Sequence, residues 1–186
     1  MNGHTPVAVV VPIRSFRFGK GRLSGVLSDD DRAALSRLLA GRVLDAAAPL
    51  PVYVVTSDDE VRTFAVERDA HLIDDPGSLN AAAHAGVRTV AAAGVDRVIV
   101  VHADLARPTP FAWVGDGDGI TIVPDRHREG TNVIALPAAS EFAFMYGAGS
   151  FARHVDEAAR CGLELRVVND DALGWDVDEP DDLSAV

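Results

Sequence analysis

Val7-Ala8-Val9-Val10-Val11-Pro12-Ile13 runs directly into the basic, glycine-containing stretch Arg14-Ser15-Phe16-Arg17-Phe18-Gly19-Lys20-Gly21-Arg22-Leu23-Ser24. A strand with one wet face alternates apolar and polar residues, whereas one covered on both faces reads as an unbroken β-branched run. The opening run therefore predicts a parallel strand with helices above and below it. Similar runs recur at 51–56, 71–73 and 97–101, separated by helical segments at 29–47, 58–67 and 78–93. Ser28 is the expected N-cap of the first helix and Asp31 its capping-box acid. This alternation predicts a three-layer α/β/α fold with a mainly parallel sheet and right-handed crossovers.

Past residue 120 the pattern changes. Segments 120–123 and 132–136 are joined by a polar loop too short for a helix, which predicts an antiparallel section in the second half. A helix over 150–160, a strand over 163–168 and a helical turn opened by Pro180 follow. The chain has 186 residues, 48% hydrophobic and 24% charged. With no repeats, linkers or low-complexity tracts, residues 1–186 are expected to form one domain.

The net charge of −11 argues against a nucleic-acid partner, whose binding face would be basic. The charge is unevenly spread. Residues 1–25 carry Arg14, Arg17, Lys20 and Arg22 without an acid, while residues 169–186 carry seven acids without a base. One end can hold anions and the other cations. The single cysteine, Cys161, excludes an internal disulfide and reads as a small packed hydrophobe at a helix end. Residues 1–6 lack a basic leader, and the run 7–12 is too short for a signal peptide or membrane span. A soluble cytoplasmic protein without a membrane partner is expected; monomer and homodimer both stay open.

Lys20 is the only lysine against sixteen arginines, and it lies between two glycines. A compact ammonium on a flexible stem, with a backbone free to approach closely, suits a loop wrapped around phosphate. The P-loop pattern fails at Arg14 and Gly21, and no Gly-x-Gly-x-x-Gly turn follows the first strand. Ligands of open α/β sheets bind beyond the carboxyl ends of the strands. Lys20 and Arg22 after the first strand and Asp104 after the fourth thus share one rim. Asp176-Val177-Asp178 presents two carboxylates at i and i+2, suited to a hard cation or simply to solvent. Asp181 and Asp182, after Pro180, suit the helix dipole and are assigned to structure. Gly147-Ala148-Gly149-Ser150 precedes a helix and reads either as an anion seat or as ordinary capping by Ser150. His102 and His154 show no metal-ligand spacing and read as packing or hydrogen-bonding residues.

In this order, Pro12-Ile13-Arg14, Gly19-Lys20-Gly21-Arg22-Leu23-Ser24, Leu79-Asn80, Ala103-Asp104-Leu105, Gly130-Thr131-Asn132, Tyr146-Gly147-Ala148-Gly149-Ser150-Phe151 with His154, and Asp176-Val177-Asp178-Glu179-Pro180-Asp181-Asp182-Leu183 form a recognisable set. The chain resembles the 2-phospho-L-lactate / phosphoenolpyruvate guanylyltransferases of coenzyme F-420 biosynthesis, within the nucleotidyltransferase superfamily. That resemblance implies transfer of GMP from GTP to phosphoenolpyruvate, 2-phospho-L-lactate or 3-phospho-D-glycerate, with release of pyrophosphate. It implies that Lys20 and Arg22 hold the triphosphate, with Arg14 also on the nucleotide and Asn80 near the base. Asp104, Asp176 and Asp178 would bind Mg2+. Lys20, Arg22 and Asp104 would be the catalytic set, and Thr131, Gly147 and Ser150 would hold the acceptor. Arg14 stands where the family often has Lys, and Gly21 where it often has Thr or Ser. The competing expectations are a sugar-phosphate or molybdopterin-type acceptor, a glycosyltransferase using Asp176-x-Asp178, and a non-catalytic GTP-binding relative.

Overall fold

A computed structural model describes residues 6–186; residues 1–5, where a basic leader was sought, lie outside the described residues. Seven strands, β1 (Val7–Pro12), β2 (Val52–Val55), β3 (His71–Ile73), β4 (Arg97–Val101), β5 (Ile120–Pro124), β6 (Thr131–Pro137) and β7 (Leu165–Val167), form one sheet. Their order across it is β3-β2-β1-β4-β6-β5-β7. β1 pairs in parallel with β2 and β4 on either side, and β2 pairs in parallel with β3. β6 runs antiparallel to both β4 and β5, and β7 closes the edge parallel to β5. The expected antiparallel section is therefore carried by one reversed strand.

Four helices, α1 (Asp29–Ala46), α2 (Asp59–Val66), α3 (Leu79–Ala92) and α4 (Ser150–Arg160), cover the two faces. Side chains alternate across a strand, and β1 shows why its run is unbroken. Val9 and Val11 pack with apolar residues of α1 and α2, whereas Ala8 and Val10 pack with those of α3 and α4. Both faces are dry. Gly86 brings α3 close to the sheet: a Cβ there would stand 2.3 Å from Val10 Cγ1, far inside van der Waals contact.

Helix starts follow local chemistry. The Ser28 hydroxyl accepts from Asp31 N–H as expected, but the Asp31 carboxylate takes the Ser28 hydroxyl instead of closing a backbone capping box. Asp58 and Ser78 cap α2 and α3. Cys161 is the part-buried C-cap residue of α4, packed against the α3–α4 core.

The reversal of β6 positions the site. Its first residues lie beside the carboxyl end of β4, with Val133 opposite Val101 and His102 N–H donating to Asn132 C=O. The chain past β7 then returns to the same rim. Ala106 N–H donates to Trp175 C=O and Val177 N–H to Asp104 C=O, so Asp176 forms a bridge beside Leu105. Among the described residues no helix is long and apolar enough to cross a membrane.

Candidate active site

Beyond the ends of β1 and β4 lies a cavity of about 200 Å³ whose wall includes Arg14, Gly19, Lys20, Leu79, His102 and Asp104. Lys20 takes a left-handed backbone conformation (φ 61°). Only 6% of its side chain is exposed. Its Nζ donates to Asp104 Oδ2 at 2.5 Å and to Asp178 Oδ1 at 3.0 Å. Burial alone would lower the Lys20 pKa, but the charges of Asp104 and Asp178 outweigh it and hold the pKa above the usual lysine value. Burial likewise works against the Asp104 carboxylate, yet the neighbouring ammonium keeps its pKa below the ordinary range. Asp176 goes the other way, raised by burial and by the charges of Asp104 and Asp178.

This geometry adds carboxylate partners that the expectation for Lys20 did not include. Its charge faces the carboxylates rather than an open phosphate cradle. Arg22 lies further out, largely exposed and paired with Glu179 at 3.2 Å. Arg14 is exposed and belongs both to the cavity and to an adjoining pocket of about 470 Å³ with Ser57, Asp58, Asp75 and Gly77. Those last four were not singled out from sequence; they follow β2 and β3 on the same rim, which is the signal that would have found them.

Among the described residues no three His, Cys, Asp or Glu side chains stand close enough to form a ready-made metal cage. The donor set still fits a hard cation. Asp104 Oδ1 is buried without a hydrogen-bond partner, and Asp176 is crowded by two like charges. Mg2+ characteristically uses one or two carboxylates and completes its shell with phosphate and water. Asp182 is structural, as expected, but by capping. Its carboxylate accepts the N–H groups of Asp178 and Glu179 and pairs with Arg126, which fixes the backbone carrying Asp178.

In the turn before α4, Gly147 (φ 121°) and Gly149 (φ 67°) take conformations that favour glycine, and Gly149 rather than Ser150 is the N-cap of α4. Ser150 is its first helical residue and is buried. Two leading amides are already engaged: Ser150 N–H with Gly147 C=O and Phe151 N–H with Glu129 C=O. Thr131 is buried, its hydroxyl 3.0 Å from His154 Nδ1. Asn80 stands in the first turn of α3, and its Oδ1 accepts Tyr146 N–H at 2.7 Å. Its carbonyl thus holds the segment that leads into Gly147, a role the expected place near the base did not include. His102 packs its ring on Tyr146, 5.0 Å between centroids. His102 Nε2 and Tyr146 Oη are both buried without hydrogen-bond partners among the described residues.

A family model described as Guanylyl transferase CofC like matches residues 7–186. The chain belongs to this family. The CofC-like chain is 37% identical to a phosphoenolpyruvate guanylyltransferase of Sphaerobacter thermophilus, over 94% of this chain and 89% of the relative. It is 33% identical to a 2-phospho-L-lactate guanylyltransferase of Natrialba magadii, over 96% and 82%. It is 30% identical to a 3-phospho-D-glycerate guanylyltransferase of Phenylobacterium zucineum, over 93% and 86%. Among solved structures, a nucleotidyl transferase from Methanothermobacter superposes with TM-score 0.66 at 16% identity, covering 97% of this chain and 95% of that one. A glucosyl-3-phosphoglycerate synthase from Mycobacterium tuberculosis, in complex with Mg2+ and uridine diphosphate, superposes with TM-score 0.59 at 17% identity, over 89% and 69%. The CofC-like chain thus has the nucleotidyltransferase fold expected from its sequence and is a guanylyltransferase.

Proposed function

We propose that this chain, working as a single cytoplasmic domain, transfers GMP from GTP to a phosphorylated three-carbon acid. The acceptors to be tested are those named for its relatives: phosphoenolpyruvate, 2-phospho-L-lactate and 3-phospho-D-glycerate. The product serves coenzyme F-420 biosynthesis. The observation that carries the reading is the rim where β1, β4 and β6 meet. There Lys20, Asp104 and Asp178 form one charged cluster on the wall of the cavity.

An acceptor phosphate oxygen attacks the α-phosphorus of GTP; that P–O bond forms as the bond to pyrophosphate breaks. The attacking group is already an oxyanion at neutral pH, since the second phosphate pKa is about 6. No general base is needed. What remains is alignment of two anions and neutralisation of charge at the transferring phosphorus. Arg14 and Lys20 line the cavity that would receive the triphosphate, with Arg22 at its outer edge. Asp58 and Asp75, on the wall of the adjoining pocket, offer carboxylate oxygens to the N–H edge of guanine. Thr131, Gly147 and Ser150 would receive the acceptor acid. Asp104, Asp176 and Asp178 would offer carboxylate oxygens to a magnesium ion, which would screen the phosphate charges.

The test is pyrophosphate release from GTP with each of the three acids and with sugar phosphates, and mass analysis of the product. Guanylylation of at least one acid is expected, and Ser150→Ala should raise the KM for that acid more than the KM for GTP. Turnover only with sugar phosphates would refute the acceptor class. An effect of Ser150→Ala confined to GTP would mean that the two subsites are exchanged.

A further inference from the structure

Residues 143–146 belong to no strand, yet each of their four consecutive backbone N–H groups donates to a side chain. Ala143 donates to Glu157 Oε1 at 2.8 Å, Phe144 to His84 Nε2 at 3.3 Å, Met145 to His154 Nε2 at 2.8 Å and Tyr146 to Asn80 Oδ1 at 2.7 Å. The acceptors alternate between α4 and α3, because an extended chain presents successive N–H groups to opposite sides. Asn80 and His84 are i and i+4 on α3, and His154 and Glu157 are i and i+3 on α4, so each pair shares one helix face. Buried amides need partners; here two helices supply what a neighbouring strand otherwise would. As the chain advances from 143 to 146 its acceptors step backwards along both helices. The segment therefore runs towards both helix N-termini and delivers Gly147 beside the start of α4 and close to that of α3.

The two histidines can accept only through an unprotonated Nε2. In the neutral ring the proton then sits on Nδ1, and His154 donates it to Thr131 Oγ1. The threonine keeps its own O–H to donate elsewhere. Burial, with Arg153 and His102 nearby, holds His154 at about 4 against the opposing pull of Glu157; burial and Arg88 lower His84. Both rings are neutral at neutral pH. Glu157 is kept anionic, at about 2, chiefly by its hydrogen bonds from Arg160. Arg153 grips the same strap from the other polarity, donating to Met145 C=O from Nε and Nη2.

We propose that Asn80, His84, His154 and Glu157 are positioning residues that hold 143–146 as a strap and so set the geometry with which Thr131, Gly147 and Ser150 receive the acid acceptor. They touch neither reacting group. Asn80 also anchors the strap to the first turn of α3, next to Leu79 on the wall of the nucleotide cavity, so the two substrate halves share one brace. The inference rests on the reading of 147–150 as the acceptor seat.

Two variant pairs test it on the full chain, with GTP and whichever acid it guanylylates. His154→Gln places an amide oxygen near the Nε2 position and keeps an acceptor for Met145; His154→Asn places its amide near Nδ1 and leaves Met145 N–H unpaired. Asn80→Asp keeps an acceptor for Tyr146, and Asn80→Ala removes it. His154→Asn and Asn80→Ala should each raise the acceptor KM about tenfold, the factor one hydrogen bond commands, with the KM for GTP nearly unchanged. His154→Gln and Asn80→Asp should recover most of that loss. If both damaging variants leave the acceptor KM unaltered while Ser150→Ala raises it, the strap is overturned and the acceptor seat stands. If Ser150→Ala also has no effect, the seat itself falls and the strap with it. Equal rises in both KM values with no recovery in the conservative variants would reduce the four residues to a structural role and overturn the inference.

Discussion

Replacing Lys20 with Met keeps the stem and removes the ammonium. Nζ lies 2.5 Å from Asp104 Oδ2 and 3.0 Å from Asp178 Oδ1. At an effective dielectric near 20, a contact pair of this kind carries about 4 kcal/mol of gross attraction. Breaking a fully buried pair costs about 3–5 kcal/mol, because a charge is left without compensation. The Asp104 side chain is 27% exposed and that of Asp178 51%, so water screens part of the loss and about 2 kcal/mol is the expected deficit. A domain stable by 5–15 kcal/mol stays folded. The sign with pH follows from the shifts. The raised Lys20 pKa means its contribution is fully present below the ordinary lysine value and is lost only in strong alkali. The lowered Asp104 pKa means its contribution is present above the ordinary carboxylate value, near 4, and is lost as pH falls through the folded value. The deficit should therefore be full at pH 7 and shrink in acid, where the buried carboxyl of the variant takes up a proton. Equilibrium urea unfolding of both proteins at pH 7 and in the acid range measures it. Magnesium ion alone should raise the Tm of the variant more than that of the wild type, since a cation then replaces the ammonium. Equal stability at pH 7, or a deficit that ignores pH, would refute the assignment of Lys20 as the counter-ion of these carboxylates.

Gly86→Ala would gain about 1 kcal/mol of helix propensity but drives a methyl into Val10, and overpacking of this kind costs about 1–3 kcal/mol. A net loss is expected, relieved by Val10→Ala in a double-mutant cycle of unfolding free energies. Asp104→Asn should lower pyrophosphate release by about two orders of magnitude, matching the charge stabilisation a metal supplies; equal rates in EDTA and in magnesium would remove the metal from the proposal. His154, with its pKa depressed to about 4, binds its proton more weakly folded than unfolded. Stability should thus fall as pH drops from about 6.5 towards 4, by up to about 3 kcal/mol at 1.36 kcal/mol per unit. Denaturant titrations across that range should show a shallower slope in His154→Gln.

Strands with both faces covered were the most legible part of the chain. β1 and β4 lie where unbroken β-branched runs predicted them, and α4 spans Ser150–Arg160 as its flanking glycines implied. The edge strand was not so clear. The segment 163–168 narrows to Leu165–Val167 because it pairs with β5 alone and its apolar residues are only half covered. Positions on the rim were legible where strand order decided them, Asp104 at the end of β4 and Lys20 after β1; that Asp176 would join Asp104 was implied only by the family resemblance. The strap was not legible. Asn80, His84, His154 and Glu157 acquire meaning only as acceptors for one short segment, and Tyr146 lies 66 residues from Asn80. The helical spacings 80/84 and 154/157 are common on any surface helix and carry no signal alone.

Local covalent and solvation preferences, read along the chain, determined the alternating elements, the reversed strand and the opposed charges of the two ends, while the family came from the resemblance of its motif residues. These depend on each segment's own pattern. Which cation meets which carboxylate depended on three remote segments meeting in space, and only the tertiary structure decided it. A phosphate-binding loop and a carboxylate counter-ion use the same lysine chemistry; burial of Lys20 between Asp104 and Asp178 selects the second in this state of the protein. The same holds before the glycine turn of α4, where two helices from distant parts of the chain satisfy four part-buried amides that no sequence period connects.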